Sequence, residues 1–315
     1  MNINYPFPSK GNAYILFGFE AIQARPNLDP YTSTLRSNDE TGQIFTSDVH
    51  IKHHVRRGLK AYATDAALPH ADQAVFYEKE DEQGNVRSFE SRLQILRKAC
   101  NVEKTAPRDA LLHTLDLPLF GYVHAVAKEN FNVAGAVNTL FRPVTFHSCD
   151  IYSLGRNNAF PAAGKESAGS ASVDSLEYGF FLSLWEINLN MLRVNAEENK
   201  MINWADKGVS GWIEALVNGM WKAYSSDRYP SFTQRSQFAQ FALGWVPEGE
   251  VSFANPADLY EKLEDARIKT HREAMTALDQ TLPSFLEGWG CKTRKNVFVS
   301  HRAGNFTPEL PAQAK

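Results

Sequence analysis

The chain has 315 residues, 43% of them hydrophobic and 22% charged, with a formal net charge of -3. These values exclude a disordered chain and a protein that coats nucleic acid over its whole surface, but they leave room for a local basic groove, because phosphate affinity follows the local field. Three widely spaced cysteines, Cys100, Cys149 and Cys291, offer neither a zinc cluster nor a disulfide framework. No apolar run approaches the roughly 18 residues needed to span a membrane, and no secretory signal opens the sequence, so a cytoplasmic protein is expected.

The first predicted strand covers residues 13–26, AYILFGFEAIQARP, an apolar β-rich run closed by Pro26. After a polar loop, residues 46–62 read as a helix, with Thr46 or Ser47 as N-cap, Asp48 in the first turn and Lys60 near the end. Residues 64–115 change character: an acidic patch precedes a helical stripe of Phe89, Leu93 and Leu96, which suggests a small, largely helical insertion. Strand signal resumes over 117–127 and continues through 131–153. Residues 154–176 hold almost no bulky apolar side chains, so they cannot fill a core and are expected to project as a long loop or loose hairpin. A strand over 178–194, a helix over 208–224, a strand over 236–246 and a charged helix over 256–280 complete the pattern. The order of elements predicts an α+β fold with insertions.

Several blocks carry a resemblance. Asn27, Asp29 and Pro30 form an NxDP turn after the first strand; Arg36 follows; then Glu40, Thr41 and Gly42; then Ser47, Asp48 and Val49 open a helix bearing Lys52, Arg56 and Arg57. Further along stand DLPLFG (116–121), VAGAV (133–137) and PVTFHSCDI (143–151). Each short motif alone is weak, but their order along roughly half the chain resembles the crRNA-binding backbone family of type I CRISPR Cascade complexes, in the type I-B and I-C branch of the RAMP superfamily. Leu28 stands where that family usually has glycine, His53 and His54 where a basic residue is more common, and the DLPLFG block lacks an arginine before Phe120.

The resemblance implies an RRM-like (ferredoxin-like) palm made of 1–63, 116–153 and 177–315, a helical fingers insertion at 64–115, and a thumb at 154–176. It also implies crRNA as ligand. Further copies of the chain and other Cascade subunits (a cap subunit, a large subunit, possible small subunits) become partners, and target DNA is met through pairing. Copies would polymerise along the spacer of the guide RNA and present it for defence or for RNA-guided transposition.

Such a protein must hold the sugar-phosphate backbone and leave base edges free. On the 46–62 helix, Lys52 and Arg56, His53 and Arg57, and Arg57 and Lys60 fall at helical spacing and form a basic flank, either a phosphate rail or an ordinary solvated face. Arg36 lies in the preceding loop. In the predicted thumb, Arg156, Asn157 and Lys165 offer polar contacts, and Phe160 offers a ring for stacking or for packing on the body. Lys292, Arg294, Lys295 and Arg302 form a C-terminal basic cluster that lines the groove, touches target DNA or makes a solvated edge.

No catalytic residue, metal ligand or cofactor is expected. His147, Ser148 and Asp150 look like triad letters, but neighbours in a strand alternate faces. His53 and His54, adjacent on a helix, face different directions. The leading alternative is a RAMP-superfamily endoribonuclease processing precursor crRNA, with His50, His53 or His54 at its centre. A structural oligomer without nucleic acid is the third reading.

Overall fold

Two long strands organise the chain. The computed structural model describes residues 10–29, 31–78, 86–126, 129–139, 144–145, 151–157, 170–198, 208–225, 239–246 and 297–301. Its elements in chain order begin with β1 (Asn12–Ala24), α1 (Asp48–Asp65), α2 (Phe89–Ala99), α3 (Pro107–Leu111) and α4 (Asp116–Phe120). Then come β2 (Tyr122–Val126), β3 (Glu129–Val133), β4 (Val137–Thr139), β5 (Val144–Thr145), β6 (Ile151–Asn157) and β7 (Ser170–Asn188). The last are α5 (Leu189–Glu198), α6 (Gly208–Ser225), β8 (Ala239–Val246) and β9 (Val297–His301). The main sheet has the order β4-β7-β1-β8-β9, with β5 and β6 also pairing β7, while β2 and β3 form a separate hairpin. The fold is α+β.

Strand alternation decides which face is covered. Ala13, Ile15, Phe19 and Ala21 of β1 are buried on one face, and their antiparallel partners Ile187, Trp185, Phe181 and Gly179 lie opposite. Phe19 and Phe181 stack with centroids 5.1 Å apart. Against this face lie Ile51, Val55 and Leu59 of α1, one turn apart, and Trp212, Ile213, Leu216 and Met220 of α6. The two helices approach closely: a Cβ added at Gly58 would lie 1.9 Å from the Gly219 carbonyl oxygen. Only glycine admits that contact.

A smaller core gathers Phe76, Leu93, Leu96, Cys100, Val102, Ala110, Leu111 and Leu117, flanked by Phe89, Tyr122 and Phe131. It joins α2, α3 and the β2–β3 hairpin. The expected stripe of Phe89, Leu93 and Leu96 packs here.

Three readings of the strands need correction. Residues 116–120 form α4 rather than the start of a strand; Asp116 sits in the first turn, and Gly121, at φ 77°, ends the helix by donating its N–H to the Leu117 carbonyl. Gly135 must be glycine, since its Cβ would fall 2.4 Å from the Phe120 carbonyl carbon, so DLPLFG and VAGAV touch through their backbones. The continuous strand expected over 131–153 is interrupted at 134–136, between β3 and β4. The strand expected over 178–194 starts earlier and stops at Asn188, whose side chain accepts from the Met191 N–H at 2.8 Å and caps α5. The predicted helix over 256–280, the basic cluster at 292–302 except for its strand backbone, and the triad letters at 147–150 lie outside the described residues.

The segment with few bulky residues makes two arms of one ladder. Ile151↔Leu176 through Asn157↔Ser170 pair β6 with the first part of β7. The remainder of β7 pairs β1, whose last partner is again Leu176. Six residues of β7 therefore run on past the end of β1, about 20 Å at strand rise.

Candidate nucleic-acid interface

The loop between β1 and α1 is built by its own polar side chains. Asn27 takes a left-handed φ of 59° and donates from Nδ2 to Ser47 Oγ at 3.1 Å. Ser47 Oγ also accepts the His50 N–H at 3.2 Å, making it the N-cap of α1 as the sequence pattern predicts. Asp29 Oδ1 accepts the Tyr31 and Thr32 amides at 2.9 and 3.2 Å. Those two bonds, with a smaller contribution from the Arg36 guanidinium, hold its carboxyl below the usual range. Asn38 Oδ1 accepts the Glu40 N–H at 2.9 Å, and its carbonyl accepts the Gly42 N–H at 2.7 Å with Gly42 at φ 68°. Leu28, in the usual glycine position, does not need a left-handed backbone because Asn27 takes it; Leu28 bridges to Leu35 and packs on the main core.

The signature residues thus frame Arg36. Its Nη2 lies 3.6 Å from Asp29 Oδ2, while its Nε is buried and makes no hydrogen bond among the described residues.

On α1 the basic residues separate into two rows. Lys52 reaches Asp48 at 3.1 Å, Arg56 reaches Asp116 at 3.4 Å, and Lys60 pairs with Glu78. Arg56 points inward: its guanidinium lies over the Tyr77 ring at 4.9 Å and the Phe120 ring at 5.2 Å. Asp116 is fully buried, and its two oxygens also accept the Phe76 and Tyr77 amides at 2.9 and 3.1 Å. Each cation of the 52–56–60 row therefore faces a carboxylate. Val49, His53 and Arg57, also four residues apart, lie exposed on the neighbouring row.

Beneath that row His50 and His54 meet, Nε2 to Nε2, at 3.2 Å. Burial, with His53 and Arg36 nearby, lowers His50 to about 4; burial, with His50, His53 and Arg57 nearby, lowers His54 to about 3. Both are neutral near pH 7, one donating to the other. His53 is exposed and His54 buried, so these neighbours do face different ways. Among the described residues no group of three or more His, Cys, Asp or Glu is placed to hold a metal ion.

The loop and the β6–β7 hairpin are joined. Arg25 Nε donates to Ser175 Oγ at 2.9 Å in the interior, and the Asp174 N–H donates to the Ser33 carbonyl at 3.3 Å. Arg156 and Asn157 occupy the outermost two pairs of the hairpin ladder, opposite Ala171 and Ser170. Phe160 and Lys165 lie outside the described residues. Asp116, the partner that turns Arg56 inward, is the residue that spacing along α1 could not reveal, since it lies sixty positions away.

No curated protein matches the sequence. Among solved structures, one chain of a "CRISPR RNA-guided surveillance complex, pre-nicking" is similar, with a TM-score of 0.53 and 13% identity, over 95% of this chain and 94% of that one. A chain of a "CRISPR RNA-guided surveillance complex" gives a TM-score of 0.48 and 14% identity, over 95% and 93%. The first likeness concerns the fold. The family model for CRISPR-associated protein Cas7 matches residues 11–229, a stretch that holds β1, the framed loop, α1, both hairpins and α6. This chain belongs to the CRISPR-associated protein Cas7 family.

Proposed function

We propose that this protein is a crRNA-binding backbone subunit of a type I Cascade complex, whose copies line up along the guide RNA and hold it for pairing with target DNA. The observation that carries this reading is the family match across residues 11–229, which includes every element of the framed loop and the projecting hairpin. In this reading the sheet with α1 and α6 is an RRM-like palm. The unit around α2 and α3 is the fingers, and the β6–β7 hairpin is the thumb. Arg36, whose side chain is 35% exposed, and the exposed row of His53 and Arg57 supply the contacts to the sugar-phosphate backbone. Neighbouring copies and the cap and large subunits complete the particle.

The protein acts as a holder rather than a nuclease. Of the three candidate histidines, His50 and His54 are bonded to each other and kept unprotonated by burial, so neither is a ready general acid at neutral pH, while His53 is exposed on α1. A head-to-tail contact that does not close on itself produces a helical filament, so co-expression with guide RNA yields large ordered particles in light scattering. A strict monomer in the presence of guide RNA would contradict the assembly. Cleavage of labelled precursor RNA, abolished by His54→Ala, would restore the endoribonuclease reading.

A further inference from the structure

Tyr31 is 95% exposed, the most exposed of the large hydrophobic side chains in the described residues. An exposed apolar residue needs no explanation when it rides on a loose loop. Tyr31 does not. Its own N–H is bonded to Asp29 Oδ1, and so is that of Thr32. The Asp29 N–H donates to the Thr34 carbonyl at 2.9 Å, the Ser33 N–H donates to the Asp29 carbonyl at 2.9 Å, and the Thr32 and Thr34 hydroxyls meet at 2.6 Å. The turn is further clamped on two sides: Ser33 accepts from Asp174 at the foot of the β6–β7 hairpin, and Asn27 bonds Ser47 at the start of α1. The backbone beneath the ring is thus fixed before any partner arrives, which removes much of the ordering entropy of binding.

The surroundings select the partner. Thr32, Thr34 and Ser37 are exposed and polar, Arg36 is half-buried, and Asp29 is paired with it. No other large apolar side chain of this turn is exposed among the described residues, since Leu28 and Leu35 turn toward the core, so the ring has no adjoining apolar patch for an extended contact. A single planar ring in polar surroundings, on a turn whose Asp29 also pairs Arg36, instead matches one unstacked nucleobase. We infer that Tyr31 is a nucleobase-stacking residue, its ring receiving a base of the bound single-stranded RNA at the foot of the β6–β7 hairpin. The inference rests on the RNA-binding reading above and adds to it a base contact that carries no charge.

The test uses full-length protein with Tyr31→Ala, Tyr31→Phe and Tyr31→Trp, and guide RNAs carrying 2-aminopurine at successive spacer positions. Tyr31 touches no core residue through its side chain exposure, so melting curves of the variants should match that of the wild type and verify folding. Stacking predicts that the wild type quenches or shifts the probe at particular positions and that Tyr31→Ala removes this signal. It also predicts that Tyr31→Ala weakens binding by about 5- to 150-fold with an unchanged salt slope, while Tyr31→Phe and Tyr31→Trp keep the affinity within about twofold. Wild-type affinity and an unaltered probe signal in Tyr31→Ala would overturn the stacking role and leave the RNA-binding reading intact. Smaller particles with unaltered probe signals would instead make Tyr31 a contact between copies, and would also overturn it. A wild-type protein that binds no guide RNA would overturn the reading on which the inference rests.

Discussion

Arg56 on α1 holds its Nε 3.4 Å from the buried carboxylate of Asp116, across a gap of sixty residues in sequence. The same carboxylate gathers the Phe76 and Tyr77 amides, so α1, α4 and the start of the helical insertion meet at one charge. Removing one partner of a buried pair leaves the other charge uncompensated, which costs about 3–5 kcal/mol. Asp116→Ala and Arg56→Ala should each lower the unfolding free energy, read from denaturant melts, by that order. Lys52→Ala, whose partner Asp48 is solvent-exposed, should change it by about 0–1 kcal/mol. Equal small effects for all three would mean that Arg56 is an ordinary surface cation.

The crossing of α1 and α6 makes a second, opposite-signed expectation. In an isolated helix Gly58→Ala would stabilise by about 1 kcal/mol. Here the new methyl meets the Gly219 carbonyl at 1.9 Å, so overpacking prevails and the variant should lose about 1–3 kcal/mol. Gly219→Ala meets the Leu59 side chain at 2.8 Å instead, and that side chain can shift, so its loss should be smaller. Paired urea melts decide the order.

The α1 helix and its cap were legible because a polar residue, Ser47, precedes a periodic apolar stripe of Ile51, Val55 and Leu59. The β1 strand and α6 were legible for the same reason: long, strongly patterned segments leave little ambiguity. The short run LPLF was not, since four apolar residues fit a strand and a helical turn equally well. α5 was hidden because apolar residues continue past the end of β7; Asn188, three residues before Met191, was the cap signal that marks the break. For the interface, spacing along α1 showed which cations share a row. It could not show that Asp116 and Glu78, brought in from elsewhere in the chain, would face that row.

The buried histidine pair gives stability a pH dependence. His50 and His54 have folded-state values of about 4 and 3, below the ordinary histidine value, so between those limits the unfolded chain binds more protons than the folded one. Their neutral burial is therefore free of this cost above about pH 6.5, and stability falls as pH drops from there toward 4. Melting temperature should decline between pH 6.5 and 5, above the range where most carboxylates titrate. The double substitution His50→Gln with His54→Leu should flatten that slope. A slope that survives in the double variant would assign it to other groups.

Two rows on one helix predict two kinds of binding variant. Arg57→Ala, on the exposed row, should weaken binding to all spacer sequences alike and reduce the salt slope by about one unit. Lys52→Ala and Lys60→Ala should reduce it by less, because their side chains are less exposed than that of Arg57. Filter binding over a series of salt concentrations separates the rows.

The most direct test of the account is the nucleic acid that the protein carries. Protein co-expressed with a CRISPR array and the other subunits of its complex should be purified and treated with nuclease, and the protected material run on a denaturing gel and sequenced. The account predicts intact guide RNA with spacer sequence, protected along its length and lost when Arg36 and Arg57 are both replaced by Ala. Protein free of RNA, or carrying random cellular fragments, would contradict it.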